Sequence, residues 1–172
     1  MEKVSAHLIQ KSIQSNDTNA FALYEKSRFG EKAREKIIYS LSEALYLVER
    51  SKLELVEKSK ILSKEEIIKK FSKIEKKFLT KYIVFKDLRD KGYIVKTALK
   101  FGAEFRVYDR GKKPGEEHAR WIIFTDSETG KLTWHEFAAK NRVAHSTKKK
   151  MLLAIVDQEE DVNYYEVGWI KI

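Results

Sequence analysis

The 172-residue chain has no cysteine, a single proline and four histidines. Without thiols there can be no disulfides and no thiolate metal sites. None of His7, His118, His135 and His145 pairs at the i, i+4 spacing of a helical zinc site, so metal binding through histidine is not expected. No run approaches the roughly 18 apolar residues of a membrane span. The opening MEKVSAHLIQKSIQSNDTN has no apolar run flanked by a cleavage site, so no signal peptide is expected. A soluble, cytoplasmic setting follows as the expectation. A Gly-rich phosphate loop and a Gly-x-Ser nucleophile elbow are both missing.

Positive charge is what the chain has in excess. Its formal net charge is +9 and its pI about 9.5, which points to a polyanionic partner such as nucleic acid. Charged residues make up 35%, and with so few Cys and Pro this composition matches heat-adapted proteins. The 42% of hydrophobic residues suffices for a packed core, and the length suits one domain or two small ones.

Residues 1–79 read as a small mixed α/β domain. VSAHLI (4–9), AFALY (20–24) and LELV (53–56) are strand candidates. Ser40 with Glu43 and Ser63 with Glu66 are capping boxes, each opening a helix. In the first, Leu41, Ala44, Leu45 and Val48 follow at helical spacing. In the second, apolar residues recur at three and four from Ile67 to Leu88, up to the stop at Gly92. That is roughly 40 Å of helix at 1.5 Å per residue, so a break is expected near Leu79–Thr80, with a domain boundary there.

Residues 80–172 change character. YIVK (93–96), EFRVY (104–108) and ARWIIFT (119–125) are β-branched and aromatic and read as strands. DSETG (126–130) is a turn. Thr133 and Glu136 form a third capping box, predicting a helix to about Lys149. MLLAIVD reads as a buried strand, QEED as an acidic turn and VNYYEVGWIKI as a final strand. The whole is an α+β or α/β chain whose second domain is a sheet packed by helices.

Chemistry concentrates in a few places. His118 follows a Gly/Pro-marked basic loop, Tyr108 precedes it, and STKKK (146–150) supplies lysines. An imidazole titrates near neutrality and serves as general acid or base. A phenol serves as a base when a cation lowers its pKa, and a lysine also neutralises charge developing on a phosphorane. Such parts suit attack of a ribose 2′-hydroxyl on its adjacent phosphate, where no metal is required. Each residue also has an ordinary reading: a half-buried sheet tyrosine, a surface histidine, and lysines favoured by a helix C-terminus. From the residues alone the chain is a basic, nucleic-acid-contacting protein with a candidate acid–base pair.

The stretch KYIVFKDLRDKGYIVKTALKFGAEFRVYDRG (81–111), the EH pair at 117–118 and RVAHSTKKKMLLAIVD (142–157) together resemble the catalytic domain of archaeal tRNA-splicing endonucleases. SLSEALYLVE and the strand after it resemble that family's N-terminal domain. The resemblance implies a restriction-endonuclease-like C-terminal domain, with a central mixed sheet flanked by helices. It implies a metal-independent ribonuclease without cofactor, cutting precursor tRNA at bulge–helix–bulge motifs to leave 2′,3′-cyclic phosphate and 5′-hydroxyl ends. Tyr108, His118 and Lys149 match the family's base, acid and transition-state cation. Arg142 matches an arginine that stacks on a bulged base. A second stacking arginine has no counterpart, since Tyr164 and Tyr165 occupy its stretch, and position 147 is Thr where a small apolar residue is common. The resemblance further implies assembly, as a homotetramer or as part of a heterotetramer with a structural subunit. The C-terminal strand and an acidic loop carrying Asp157, Glu159, Glu160 and Asp161 would make those contacts.

Two alternatives remain open at this point. One is a non-catalytic RNA-binding or structural subunit of the same assembly. The other is a metal-dependent DNA nuclease, which needs a Pro-Asp lead-in and an acidic-x-Lys pair on adjacent strands. Here Pro114 precedes Gly115, and Glu75-x-Lys77 falls on a predicted helix.

Overall fold

Short strands alternate with capped helices from the start of the chain. A computed structural model describes residues 2–170 and residue 172, in two compact units, Met1–Leu79 and Thr80–Ile172. The first unit runs β1 (Val4–Ile9), β2 (Ser12–Ser15), α1 (Thr18–Ser27), β3 (Glu31–Ala33), β4 (Lys36–Tyr39), α2 (Leu41–Glu49), β5 (Leu53–Glu57), β6 (Lys60–Ile61) and α3 (Lys64–Ile74). Its six strands lie in the order β3-β4-β2-β1-β5-β6. Only β1 and β5 pair in parallel among them, and the other neighbours are antiparallel. In β1, Val4, Ala6 and Leu8 are buried while Ser5, His7 and Ile9 are exposed, the period-two pattern of a strand with one covered face.

Both predicted capping boxes of this unit form. The Ser40 amide donates to Glu43 Oε2 at 3.0 Å and the Glu43 amide donates to Ser40 Oγ at 3.2 Å, opening α2. Ser63 and Glu66 repeat the exchange at 2.9 and 3.3 Å, opening α3. Glu43 is itself 3% exposed and accepts a further bond from the Gly30 amide at 2.9 Å, so its buried carboxylate is satisfied.

Two expectations are corrected here. AFALY is not a strand but lies inside α1, where Asp17 Oδ1 accepts the Asn19 amide as N-cap and Ala20 and Leu23, three apart, are the buried residues. A five-residue apolar run carries too little period to separate strand from helix. The long apolar pattern breaks earlier than expected: α3 ends at Ile74, Glu75 is extended (φ −126°, ψ 121°) and Lys77 is left-handed (φ +58°). Phe71 and Phe78 meet edge to face across that break with centroids 5.4 Å apart, so the apolar rhythm continues where the helix does not. Glu75 and Lys77 therefore sit in the break and not on a helix.

The chain continues with α4 (Phe78–Asp90), whose first two residues belong to the first unit, and the second unit then runs β7 (Ile94–Ala98), a 3-10 turn at Leu99–Phe101, β8 (Ala103–Tyr108), β9 (Trp121–Ser127), α5 (Trp134–Ser146), β10 (Lys150–Val156) and β11 (Val162–Val167). The sheet order is β11-β10-β9-β8-β7, with β9 and β10 parallel and every other pair antiparallel. This is the expected mixed sheet with helices on both faces. On one face Ala98, Ala103, Ile122, Phe124 and Met151 pack with Ala144, Phe137 and Val143 of α5. On the other, Phe85 of α4 meets Phe105 at 5.8 Å and Asp87 accepts the Tyr164 hydroxyl at 2.7 Å. The nearly continuous apolar run of β10 follows from its place between β9 and β11, covered on both sides.

The third capping box opens α5, through Thr133 N to Glu136 Oε2 at 2.8 Å and Glu136 N to Thr133 Oγ1 at 3.2 Å. That helix stops at Ser146, not near Lys149, because the Thr147 hydroxyl turns back onto the Val143 carbonyl at 2.8 Å and Lys148 takes φ +55°. The last strand ends at Val167, short of the expected chain end, and of that stretch Lys171 lies outside the described residues. Among the described residues no helix is long and apolar enough to cross a membrane.

Candidate active site

Strand direction gathers three polar side chains at one end of the second sheet. Because β8 runs antiparallel to β9 and β9 parallel to β10, the end of β8 lies beside the starts of β9 and β10. Register makes this concrete: Trp121 stands opposite both Val107 and Lys150. The Arg120 amide donates to the Val107 carbonyl at 2.9 Å, and the Lys150 amide donates to the Arg120 carbonyl at 3.0 Å. Tyr108 ends β8, His118 precedes β9 and Lys149 precedes β10. All three line one cavity of about 370 Å³, together with Phe101, Arg106, Gly115, Glu116, Glu117 and Ala119.

The loop from Asp109 to Arg120 is held by its own charges. Arg120 pairs with Asp109 at 3.1 Å, Lys112 pairs with Glu117, and the Arg110 guanidinium lies 5.0 Å from the Tyr93 ring centroid. The Glu116 and Glu117 amides both donate to the Lys113 carbonyl at 3.1 Å, folding the chain back toward the sheet. Gly115 sits at that fold with φ +90°, a conformation that a side chain would strain, and its backbone forms part of the cavity wall.

The three side chains meet different surroundings. Tyr108 is 4% exposed, with Ile94 opposite it in β7. His118 is exposed. Lys149 is half-buried; its Nζ donates to the Thr147 carbonyl at 3.0 Å and lies 5.5 Å from the Phe101 ring centroid. Its neighbours do not line the cavity: Lys148 is exposed, and Lys150 pairs with Glu166 at 2.5 Å. A buried phenol, an accessible imidazole and a directed ammonium around one cavity are the parts for base, acid and cation in a phosphoryl transfer.

Other residues singled out in the sequence lie apart from this cavity. Arg142 is exposed on α5 and is not part of the cavity wall. The acidic turn joins β10 to β11 at the opposite end of the sheet, roughly 20 Å away at 3.3 Å per strand residue. Within it Asp157 is structural, since its Oδ1 accepts the Glu159 and Asp161 amides at 2.9 Å, leaving Glu159, Glu160 and Asp161 exposed. Tyr164 turns toward α4 and Asp87, whereas Tyr165, paired with Leu153, is 57% exposed on the side of α5. Sequence reading passed over Arg106 and Phe101. The signal for Arg106 was there in EFRVY, because residues 106 and 108 share a strand face.

Comparison with known proteins agrees with this architecture. Residues 4–68 match the N-terminal domain of tRNA intron endonuclease, and residues 78–164 match its catalytic C-terminal domain. The tRNA-splicing endonuclease of Thermococcus kodakarensis is 46% identical over 91% of this chain and 92% of the relative. That of Nanoarchaeum equitans is 47% identical over 76% and 88%, and that of Methanothermobacter thermautotrophicus 43% over 87% and 86%. The cavity where β8, β9 and β10 converge lies within the catalytic-domain match, and the chain belongs to the tRNA intron endonuclease family.

Proposed function

We propose that this protein is an endoribonuclease that excises introns from precursor tRNA at bulge–helix–bulge motifs, without a metal ion. Tyr108 takes the proton of the ribose 2′-hydroxyl. The 2′-oxygen forms a bond to the adjacent phosphorus as the bond from phosphorus to the 5′-oxygen breaks. His118 gives its proton to that leaving oxygen, and Lys149 offsets the extra negative charge on the phosphorane. The products are a 2′,3′-cyclic phosphate and a 5′-hydroxyl. The observation that carries this reading is the single cavity shared by Tyr108, His118 and Lys149 within the family's catalytic domain.

Arg142, exposed on α5, stacks on a bulged base, since single-stranded bases are gripped by guanidinium planes and aromatic rings. The chain acts as an assembly, a homotetramer or a heterotetramer with a structural subunit, and works in the cytoplasm. β11 is an edge strand followed by exposed Trp169 (58%) and Ile170 (76%), which supports self-association there. The exposed carboxylates of Glu159, Glu160 and Asp161 dock on a basic surface of another unit.

The test is cleavage of an end-labelled bulge–helix–bulge RNA in excess EDTA. Cyclic phosphate and 5′-hydroxyl ends are the expected outcome. Activity that returns only with magnesium refutes the metal-free reading.

A further inference from the structure

Arg106 stands two residues before Tyr108 in β8, so both side chains leave the same face of the strand. Both line the cavity, with Lys149 on the wall formed at the start of β10. Arg106 is half-buried. Directly across from it in β7 is Lys96, which is 4% exposed. Glu104 lies on the same face one step back, and its Oε2 accepts the Thr125 amide at 3.2 Å. The carboxylates of the cavity wall are Glu116 and Glu117, and Glu117 pairs with Lys112 in the loop. Positive charge is thus concentrated on the sheet side of the cavity and carboxylate on the loop side.

The reaction asks for such an asymmetry. A phosphodiester carries one negative charge and moves toward two as the 2′-oxygen bonds to phosphorus. An ammonium is a point charge and fixes no orientation. A guanidinium presents a planar fork whose two donors match two oxygens of one phosphate. In-line displacement also needs the phosphate held, so that its attacked and leaving faces point at base and acid.

We propose that Arg106 is a further catalytic residue, its guanidinium clamping the non-bridging oxygens of the scissile phosphate between Tyr108 and His118. This inference rests on the endoribonuclease reading above. It divides the electrostatic work: Lys149 offsets charge, and Arg106 offsets charge and sets orientation.

The experiment compares the assembled wild-type enzyme with Arg106→Gln and Arg106→Lys, in excess EDTA, under single-turnover conditions. The substrates are a bulge–helix–bulge RNA and the same RNA with Rp or Sp phosphorothioate at the cleaved linkage. Affinity is read with a non-cleavable 2′-deoxy analogue, and melting temperature is recorded for each variant. Removing one preorganised donor of this kind costs about 10²–10³ in rate, and that is the loss expected of Arg106→Gln. Affinity for the deoxy analogue should fall by only about threefold, because one phosphate contact among many is lost. Because the fork grips both non-bridging oxygens, each phosphorothioate isomer should slow the wild type, and both slowings should shrink in Arg106→Gln. If Arg106→Gln melts early, Arg106→Lys carries the test: it keeps the charge, loses the fork, and should lose both rate and the slowing by sulfur at either oxygen.

An Arg106→Gln enzyme within about threefold of wild type overturns the inference. So does an Arg106→Lys enzyme that keeps both the wild-type rate and the wild-type slowing by each isomer. If the wild-type assembly leaves the RNA whole, the endoribonuclease reading falls and this inference falls with it. If the wild type cuts and both variants cut equally well, only this inference falls.

Discussion

Replacing His118 by Ala gives the sharpest test of the proposed chemistry. The side chain is exposed on the loop before β9, so its removal should change stability by no more than about 0.5 kcal/mol. Its chemical cost is of another size. A positioned general acid contributes about 10²–10⁴ in rate, which is roughly 3–5 kcal/mol of barrier at about 1.36 kcal/mol per decade. The variant should therefore melt as wild type does, bind a 2′-deoxy analogue equally well and cleave at least about a hundredfold more slowly. A second substrate isolates the role. With sulfur in place of the 5′-bridging oxygen, the leaving group is a thiolate that departs without a proton. His118→Ala should cut this RNA at nearly the wild-type rate, while Lys149→Ala, which removes the cation on the phosphorane, should stay slow on both. Single-turnover rates on the oxygen and sulfur substrates are the assay. If His118→Ala is equally impaired on both, His118 does not protonate the leaving oxygen. If it is fully active on the oxygen substrate, it has no part in catalysis.

Further outcomes follow from other parts of the structure. Tyr164→Phe removes the 2.7 Å bond to Asp87, and should destabilise the chain by about 1–2 kcal/mol in chemical denaturation, because Asp87 keeps its ion pair with Lys91. Burial, and then the Asp87 carboxylate, hold the Tyr164 phenol above its ordinary pKa, and burial with Glu43 does the same for Tyr39. Their contribution is present below the unfolded tyrosine pKa of about 10 and lost as pH rises above it. Unfolding free energy should therefore drop above that pH, less steeply in Tyr164→Phe, and an unchanged slope would contradict the assignment. Arg142→Ala should weaken binding of bulged RNA by about 1–3 kcal/mol, with no loss toward a fully paired duplex in the same binding assay. Reversing Glu159 and Glu160 to Lys spares the bonds through which Asp157 closes its turn, and should break tetramers to dimers in light scattering.

The capping boxes were the most legible part of the fold. Ser40–Glu43, Ser63–Glu66 and Thr133–Glu136 each act within four residues, so their bonds form whatever surrounds them. The strands of the second sheet were legible for a similar reason, being long, β-branched and aromatic. Less visible were β2, β3, β4 and β6. They are two to four residues long, and their turns use Gln10, Arg34, Lys58 and Ser59 at positive φ, where the usual glycine signal is missing. The end of α3 was hidden because Phe71 and Phe78 keep an apolar spacing that either a helix or a break can satisfy.

The candidate site divides along the same line. The residues alone offered Tyr108, His118 and the lysines of 146–150, with the chemistry a phenol, an imidazole and an ammonium can share, and the family resemblance then singled out Lys149. That these residues, separated by 10 and 31 positions, face one cavity was decided by the order and direction of β8, β9 and β10. So was the inclusion of Arg106, and so was the turning of Tyr164 away from Tyr165. Helix caps and strand propensity are short-range, carried by residues within a turn of one another, and sequence by itself determines them. Which strand ends meet depends on backbone pairing between segments far apart in the chain, and on the packing of α4 and α5 against the sheet, so only the tertiary structure could decide it.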